Sequence, residues 1–470
     1  MISGNLTYKD IEYFFVLENN RELSLVPKEG FKDKSNAMFY EPLVNGIPGV
    51  VTPIHPIVEN DYLVGISSET NEKIIMIPKS YQIERHNSVL KIIIKMVIKL
   101  NKKDKIAKIN FYSSELNYIY NTKRTIKSFN PGKKEVDLKL KPCDVVGIKS
   151  EEFEIDGRKV KCNFDIDKVF SGKDLEHPLK IRTRLSFDFG PTDDYMFIRR
   201  IYFIAKKFIQ FLTYRQNITF KEVYTSFLNE EELYEKNGVV LINDEFVLAE
   251  DEEIISKRFI PLDYVYSIAH NILQGISDNT LYTRHIPLSY DDSHTITESS
   301  FVLTTAGFEW EFSQLFPEGK AKKQARINAE AIVNEELIQL EDKYSCKNGR
   351  AKKIINKLHD FVDLTGLDTN LDYTFNQLDD ITKIFANQLY RMNDEKVIYK
   401  DMGHRLAEQR NDFAHGNLNK DFSNLAMLDI IFLERVIYMM QLKRLGLDNY
   451  NIKNCINDLF QCHMIIDSDE

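Results

Sequence analysis

The chain of 470 residues carries 62 Lys and Arg against 71 Asp and Glu, a formal net charge of -9, which excludes a globally basic nucleic-acid coat protein. Its 43% apolar content, with 30 Phe and 23 Tyr, excludes disorder as the main state and suits two or three domains. The most apolar stretches, Ile92–Leu100 and Tyr195–Tyr214, are cut by Lys or Arg every few residues. They fall short of the roughly 18 uncharged residues of a membrane span, so no membrane partner is expected. Cys143, Cys162, Cys346, Cys455 and Cys462 are few, odd in number and scattered, unlike a disulfide framework. The first residues show no basic stretch followed by a short apolar run, so a cytoplasmic location is expected.

From residue 6 to about 190 the chain has strand texture. Leu6–Leu17, Glu22–Val26, Lys73–Pro78, Val89–Ile98, Val136–Leu140 and Lys180–Phe189 are short, rich in β-branched and aromatic residues, and separated by Gly, Pro, Asn and Asp. Lys180–Phe189 alternates from Leu185 onward, as a strand with one wet face does. In Tyr195–Tyr214 the apolar residues recur at three and four with Arg199, Arg200, Lys206 and Lys207 opposite, the pattern of an amphipathic helix. Ile218–Leu228 reads as strand again. Residues 1–228 are therefore predicted to form a β-rich, sandwich-like domain, and the acidic run Asn229–Lys236 opens a connecting region over 229–290. From Leu262 onward the pattern predicts helices at Leu262–Gln274, Ile296–Phe316, Lys320–Lys343, Lys352–Leu364, Leu378–Asn393, Gly403–His415 and Phe422–Leu445, with an all-α bundle over 291–470. The fold class expected is α+β.

The chain has no phosphate-binding Gly-rich loop, no GxGxxG, no HExxH, no GxSxG and no CxxC. Cys455, Cys462 and His463 leave a gap that matches no zinc spacing, so neither a metal nor a cofactor is expected. What remains is Gly403–Asn417. On a 3.6-residue period Leu406, Arg410, Phe413 and Ala414 form its apolar stripe, which puts a guanidinium where a leucine would ordinarily stand and calls for an anionic partner. His404, Glu408, Asn411 and His415 form a second stripe beside it, and Gly416 is placed as the helix stop.

An Arg followed at once by a polar residue and, after four intervening residues, by His, near the end of an α-bundle and before a long apolar helix, resembles the HEPN superfamily of ribonucleases. Arg410, Asn411 and His415 carry the likeness. The β-rich first half, with its aromatic helix and the segment Phe211–Tyr224, further resembles the ApeA family of HEPN-domain anti-phage defence proteins of bacteria. The resemblance implies a metal-independent endoribonuclease that cuts host RNA, with tRNA as the first candidate, in abortive infection. RNA brings its own nucleophile, the 2′-hydroxyl, so such a site needs a base, a cation on the phosphate and an orienting group. His415, Arg410 and Asn411 would fill these roles. Glu309 stands where bundles of this superfamily carry an acidic residue and is a candidate partner for Arg410. The second protonatable group would come from a second copy, which implies a homodimer or a higher even oligomer. A phage-derived protein would be the trigger and the β-rich half its sensor.

Residues 91–141 hold fourteen Lys or Arg against four acids, a net +10 that leaves -19 for the rest. Phe111, Tyr112, Tyr118, Tyr120 and Phe129 lie among them, but alternate lysines also suit a solvated strand face. Lys320, Lys322, Lys323 and Arg326, followed by Lys352 and Lys353, are the stronger candidates for guiding RNA to the site. A reading of a different class is a catalytically inactive helical interaction module whose β-rich half binds a protein or sugar ligand. An assay on total RNA in EDTA separates the two.

Overall fold

The computed structural model describes residues 1–8, 11–28, 62–86, 89–131, 136–141, 151–170, 179–243, 248–319, 324–344, 349–363, 366–416 and 421–467. The chain forms two compact units, Met1–Asp263 with Ala269–Asp278, and Tyr264–Ile268 with Asn279–Glu470. A β-rich region is thus followed by a helical one, and among the described residues no helix is long and apolar enough to cross a membrane.

In the first unit, β1 (Ile2–Tyr8), β2 (Ile11–Glu18), β3 (Glu22–Pro27), β4 (Leu63–Ser67), β5 (Lys73–His86) and β6 (Val89–Leu100) close on themselves in the order β6-β3-β2-β1-β4-β5-β6. Every pairing in this ring is antiparallel. Period-2 alternation sends Tyr13, Phe15, Leu17, Leu23, Leu25, Ile74, Met76 and Ile92 inward to fill it. The expected sandwich is therefore corrected to a barrel with an open sheet attached. The remaining large strands are β7 (Ile106–Tyr112), β10 (Glu151–Ile155), β11 (Arg158–Phe170), β12 (Leu179–Thr192), β13 (Glu222–Leu228) and β14 (Tyr234–Ile242). They extend the sheet from β6 in the order β14-β13-β7-β12-β11-β10, while β8 (Ile126–Pro131) and β9 (Val136–Leu140) pair only with each other.

The branch lies in β6. One of its edges runs along β5; the other is shared, with Leu90–Ile93 paired to β3 and Met96–Leu100 paired to β14. Asn243 fills the fork, its Nδ2 donating to the carbonyls of Asn20 at 2.6 Å and Ile94 at 2.9 Å. This overturns the expectation of a connecting region from 229. Strand β14 falls inside that region yet is bonded to β13 and β6, with Asn237 and Val240 buried and Tyr234 and Lys236 exposed; the buried Asn237 donates through Nδ2 to the Lys103 carbonyl at 2.7 Å.

Helix α1 (Ser114–Ile119) precedes the β8–β9 hairpin, and α2 (Tyr195–Thr213) covers one face of the sheet extension. Asp194 caps α2 by accepting from the Phe197 N–H at 3.0 Å, and Tyr202 and Phe208 pack on Phe111 and Phe164. Arg215, 2% exposed, then donates to Glu115 of α1 at 2.6 Å. The edge strand β10 is capped by α3 (Ala269–Ser277), where Gln274 meets the N–H and the carbonyl of Glu154.

The second unit holds α4 (Glu298–Leu315), α5 (Gln324–Tyr344), α6 (Gly349–Asp363), α7 (Leu367–Gln377), α8 (Asp379–Arg391), α9 (Tyr399–Ala414), α10 (Asn424–Arg444) and α11 (Asn449–Leu459). Two of these, α7 and α11, were not expected; both are short and rich in Asn and Asp. His285 lies 5% exposed between the rings of Tyr282 and Tyr438, and burial pushes its imidazole down to about 3. The folded state thus refuses a proton that the unfolded chain accepts near pH 6.5. The stability due to neutral His285 is fully present above that pH and is lost as pH falls towards 3. In urea titrations from pH 7 to 4, His285→Phe should gain on the wild type by about 1 kcal/mol per pH unit below pH 6.5. Parallel pH profiles would count against it.

Candidate active site

Helix α9 enters the bundle at Gly403. A Cβ there would stand 2.8 Å from the Asp368 Cα of α7, so only glycine permits this crossing. Leu406 and Phe413 follow on the buried face, and Phe413 meets the rings of Phe301 and Phe422 at 5.5 and 4.5 Å. Three polar side chains then fix how α9 is turned about its axis. Arg405 donates through Nε and Nη2 to the two oxygens of Asp429 on α10, at 2.8 and 2.9 Å. Gln409, 8% exposed, accepts from the Ser423 N–H at 3.3 Å. Arg410 donates through Nη1 to Glu309 Oε1 on α4 at 2.9 Å.

Asp429 is itself fully buried and also accepts from the Tyr390 hydroxyl. Burial pushes its carboxyl up, and the hydrogen bonds from Arg405 and Tyr390 oppose that push. The same contact holds Arg405 above its ordinary value. A fork of two donors on two carboxylate oxygens is the geometry that compensates a buried anion.

The outward face of α9 carries His404, Glu408, Asn411 and His415, all exposed. The helix ends where the His415 N–H donates to the Asn411 carbonyl at 3.1 Å and Gly416 takes a left-handed φ of 66°. Arg410, Asn411 and His415 therefore share the last turn and a half of α9, and the structure joins Glu309 to Arg410 across two helices. Ala414, expected on the apolar stripe, is exposed at the last position of α9. Arg410 is not inward either: its side chain is 32% exposed and that of Glu309 is 35% exposed.

Of the six expected RNA-guiding cations, Lys320, Lys322 and Lys323 lie outside the described residues. Arg326 and Lys352 fall on α5 and α6 with their side chains outside the description, and Lys353 is exposed on α6. Arg405, Gln409 and Asp429 were not read from the sequence. A lone Asp inside the apolar run Leu428–Leu433 was the available signal. Cys455 and Cys462 are buried, and burial pushes both thiols up. Among the described residues no three His, Cys, Asp or Glu side chains are grouped to hold a metal ion.

Glu309 and Glu311, two positions apart on α4, differ sharply in surroundings. Glu311 is fully buried and receives Arg444 at 3.0 Å, Gln441 at 3.0 Å and the Tyr282 N–H at 2.8 Å. Glu311→Ala strands the half-buried Arg444 and should cost about 3 kcal/mol in urea unfolding, whereas Glu309→Ala should cost about 1 kcal/mol or less. Equal losses would refute this division.

No protein-family model, no curated protein and no solved structure matches the chain, so its functional assignment rests on the side chains at the end of α9.

Proposed function

We propose that the chain is a metal-independent endoribonuclease of the HEPN type, similar to the ApeA family, cutting host RNA such as tRNA in anti-phage defence by abortive infection. The observation that carries the reading is the exposed end of α9, where His415 and Asn411 stand beside an arginine that Glu309 holds in place while leaving it a third exposed. His415 takes the proton from a ribose 2′-hydroxyl, the 2′ oxygen bonds to phosphorus, and the bond from phosphorus to the 5′ oxygen breaks. That oxygen leaves with a proton from a second imidazole, the His415 of another copy of the chain. Arg410 offers its planar fork to the phosphorane oxygens, and Asn411 orients the phosphate. Because the substrate supplies the nucleophile and arginine the positive charge, the reaction has no step that needs a metal. The β-rich unit is the sensor in this reading, with a phage-derived protein as its trigger.

His415→Ala and Arg410→Ala should each lower cleavage of total RNA by about a thousandfold or more, and Asn411→Ala by about tenfold, with unchanged circular dichroism. Wild-type cleavage in either of the first two would remove the site from consideration. Products should end in a 2′,3′-cyclic phosphate by mass spectrometry, and activity should persist in EDTA.

The active species should be a dimer or a higher even oligomer. Light scattering at micromolar concentration tests this directly, and an active monomer would refute the shared site.

A further inference from the structure

In the first unit β12, β7, β13 and β14 lie side by side, and alternate residues serve opposite faces of the sheet. Ile109, Phe111 and Phe187 belong to the face that α2 covers. Lys108, Asn110, Arg184, Ser226 and Lys236 belong to the other, where they help to line a cavity of about 400 Å³. That is the size of a small-molecule site.

The hydrogen-bonding capacity of this cavity is lopsided. Asp167, the one carboxylate among the described residues that lines it, accepts from the Tyr112 hydroxyl at 3.1 Å, and two carboxylates beside it hold its arginines: Asp165 pairs with Arg184 at 2.9 Å, and Glu222 with Arg182 at 2.7 Å and with the Tyr224 hydroxyl at 2.6 Å. Lys108 and Lys236 have no ion pair among the described residues. Their ammonium groups sit instead over the rings of Tyr234 and Tyr224, at 4.9 and 3.4 Å from the centroids. Burial pushes both lysines down; on Lys108 Arg184 adds to the effect and Asp165 and Asp188 oppose it, and on Lys236 Glu222 opposes it and Arg182 adds to it. One acceptor is also unmatched. Asn110, 7% exposed, donates through Nδ2 to the Ser226 hydroxyl at 3.2 Å, while its Oδ1 is buried without a hydrogen-bond partner.

We propose that this cavity binds a small phosphorylated ligand of nucleotide size, with phosphate oxygens on Lys108 and Lys236 and an N–H of the base on Asn110 Oδ1. Two ammonium groups supply donors for an acceptor-rich group, and the single buried acceptor selects a donor on the rest of the molecule. The engaged carboxylates keep the arginines in place and leave the lysines to the ligand. The site is independent of the ribonuclease reading, because it involves no residue of the helical unit.

Calorimetry on the full chain with ATP, AMP, adenosine, inorganic phosphate and a short oligoribonucleotide tests the proposal. A nucleotide should bind in the micromolar range, and adenosine and inorganic phosphate at least about tenfold more weakly. Lys108→Met and Lys236→Met should each weaken nucleotide binding about tenfold with at most a small fall in melting temperature, since each loses a contact with a ring but no ion pair. Limited acetylation of the wild type read by mass spectrometry gives a measure that does not depend on the variants folding. Nucleotide should protect Lys108 and Lys236 and leave the exposed Lys103 reactive. No nucleotide binding at millimolar concentration, equal binding of inorganic phosphate, tighter binding of the oligoribonucleotide, undiminished binding in the variants, or failure to protect the two lysines would each overturn it.

Discussion

A fully buried carboxylate, Asp429, dictates how the helical unit presents its one exposed motif. An anion in that position is tolerated only with matched donors, and Arg405 and Tyr390 bring them from two other helices. Since residues on a helix are 100° apart, fixing Arg405 towards α10 fixes the direction of every other side chain on α9. Arg410 is thereby turned towards Glu309, and His404, Glu408, Asn411 and His415 are turned to solvent. A roll of one residue would bring Glu408 to the buried place of Gln409 and leave Asp429 uncompensated. The orientation of the motif is thus set some distance from the motif itself.

The contrast between the two glutamates on α4 follows the same logic. Glu311 is enclosed and fully matched, and its work is to join α4, α10 and the segment at Thr280 and Tyr282. Glu309 meets Arg410 where both are a third exposed, so the pair orients the guanidinium at little energetic depth. An arginine held in this way is placed in advance yet can exchange a carboxylate for a phosphate without a large barrier. Enclosure of the same pair would have made the cation structural.

Much of this arrangement was legible in the sequence, and the part that was not has identifiable causes. The helical pattern located α2, α4, α8, α9 and α10 to within a few residues, because α2, α8 and α9 have an apolar stripe and α4 and α10 are long and apolar on several sides. It missed α7 and α11, whose Asn and Asp residues imitate a loop. Strand alternation identified most strands but carries no information about closure; a barrel and a sandwich bury the same alternate residues. Acidic Asn229–Lys236 imitated a linker although β14 begins inside it and is held by its pairing with β13 and β6. The pairing of Arg410 with Glu309 followed from the family resemblance, since a contact between residues a hundred positions apart leaves no local pattern. For the same reason the cavity around Lys108 was invisible: strand register alone gathers its side chains.

The shared edge of β6 has a consequence for the nascent chain. The ring of β1 to β6 can close once residue 100 has left the ribosome, but Met96–Leu100 then lacks its second partner until β14 emerges more than a hundred residues later. At ordinary elongation rates this gap lasts roughly ten seconds. During it the first barrel of the protein carries a short open β-edge, mostly apolar with a single lysine at 99 and another just before it at 95, ready to template any free strand. The lysines at positions 95 and 99 then act as gatekeepers against other nascent copies, a task that ends when Asn243 seals the fork.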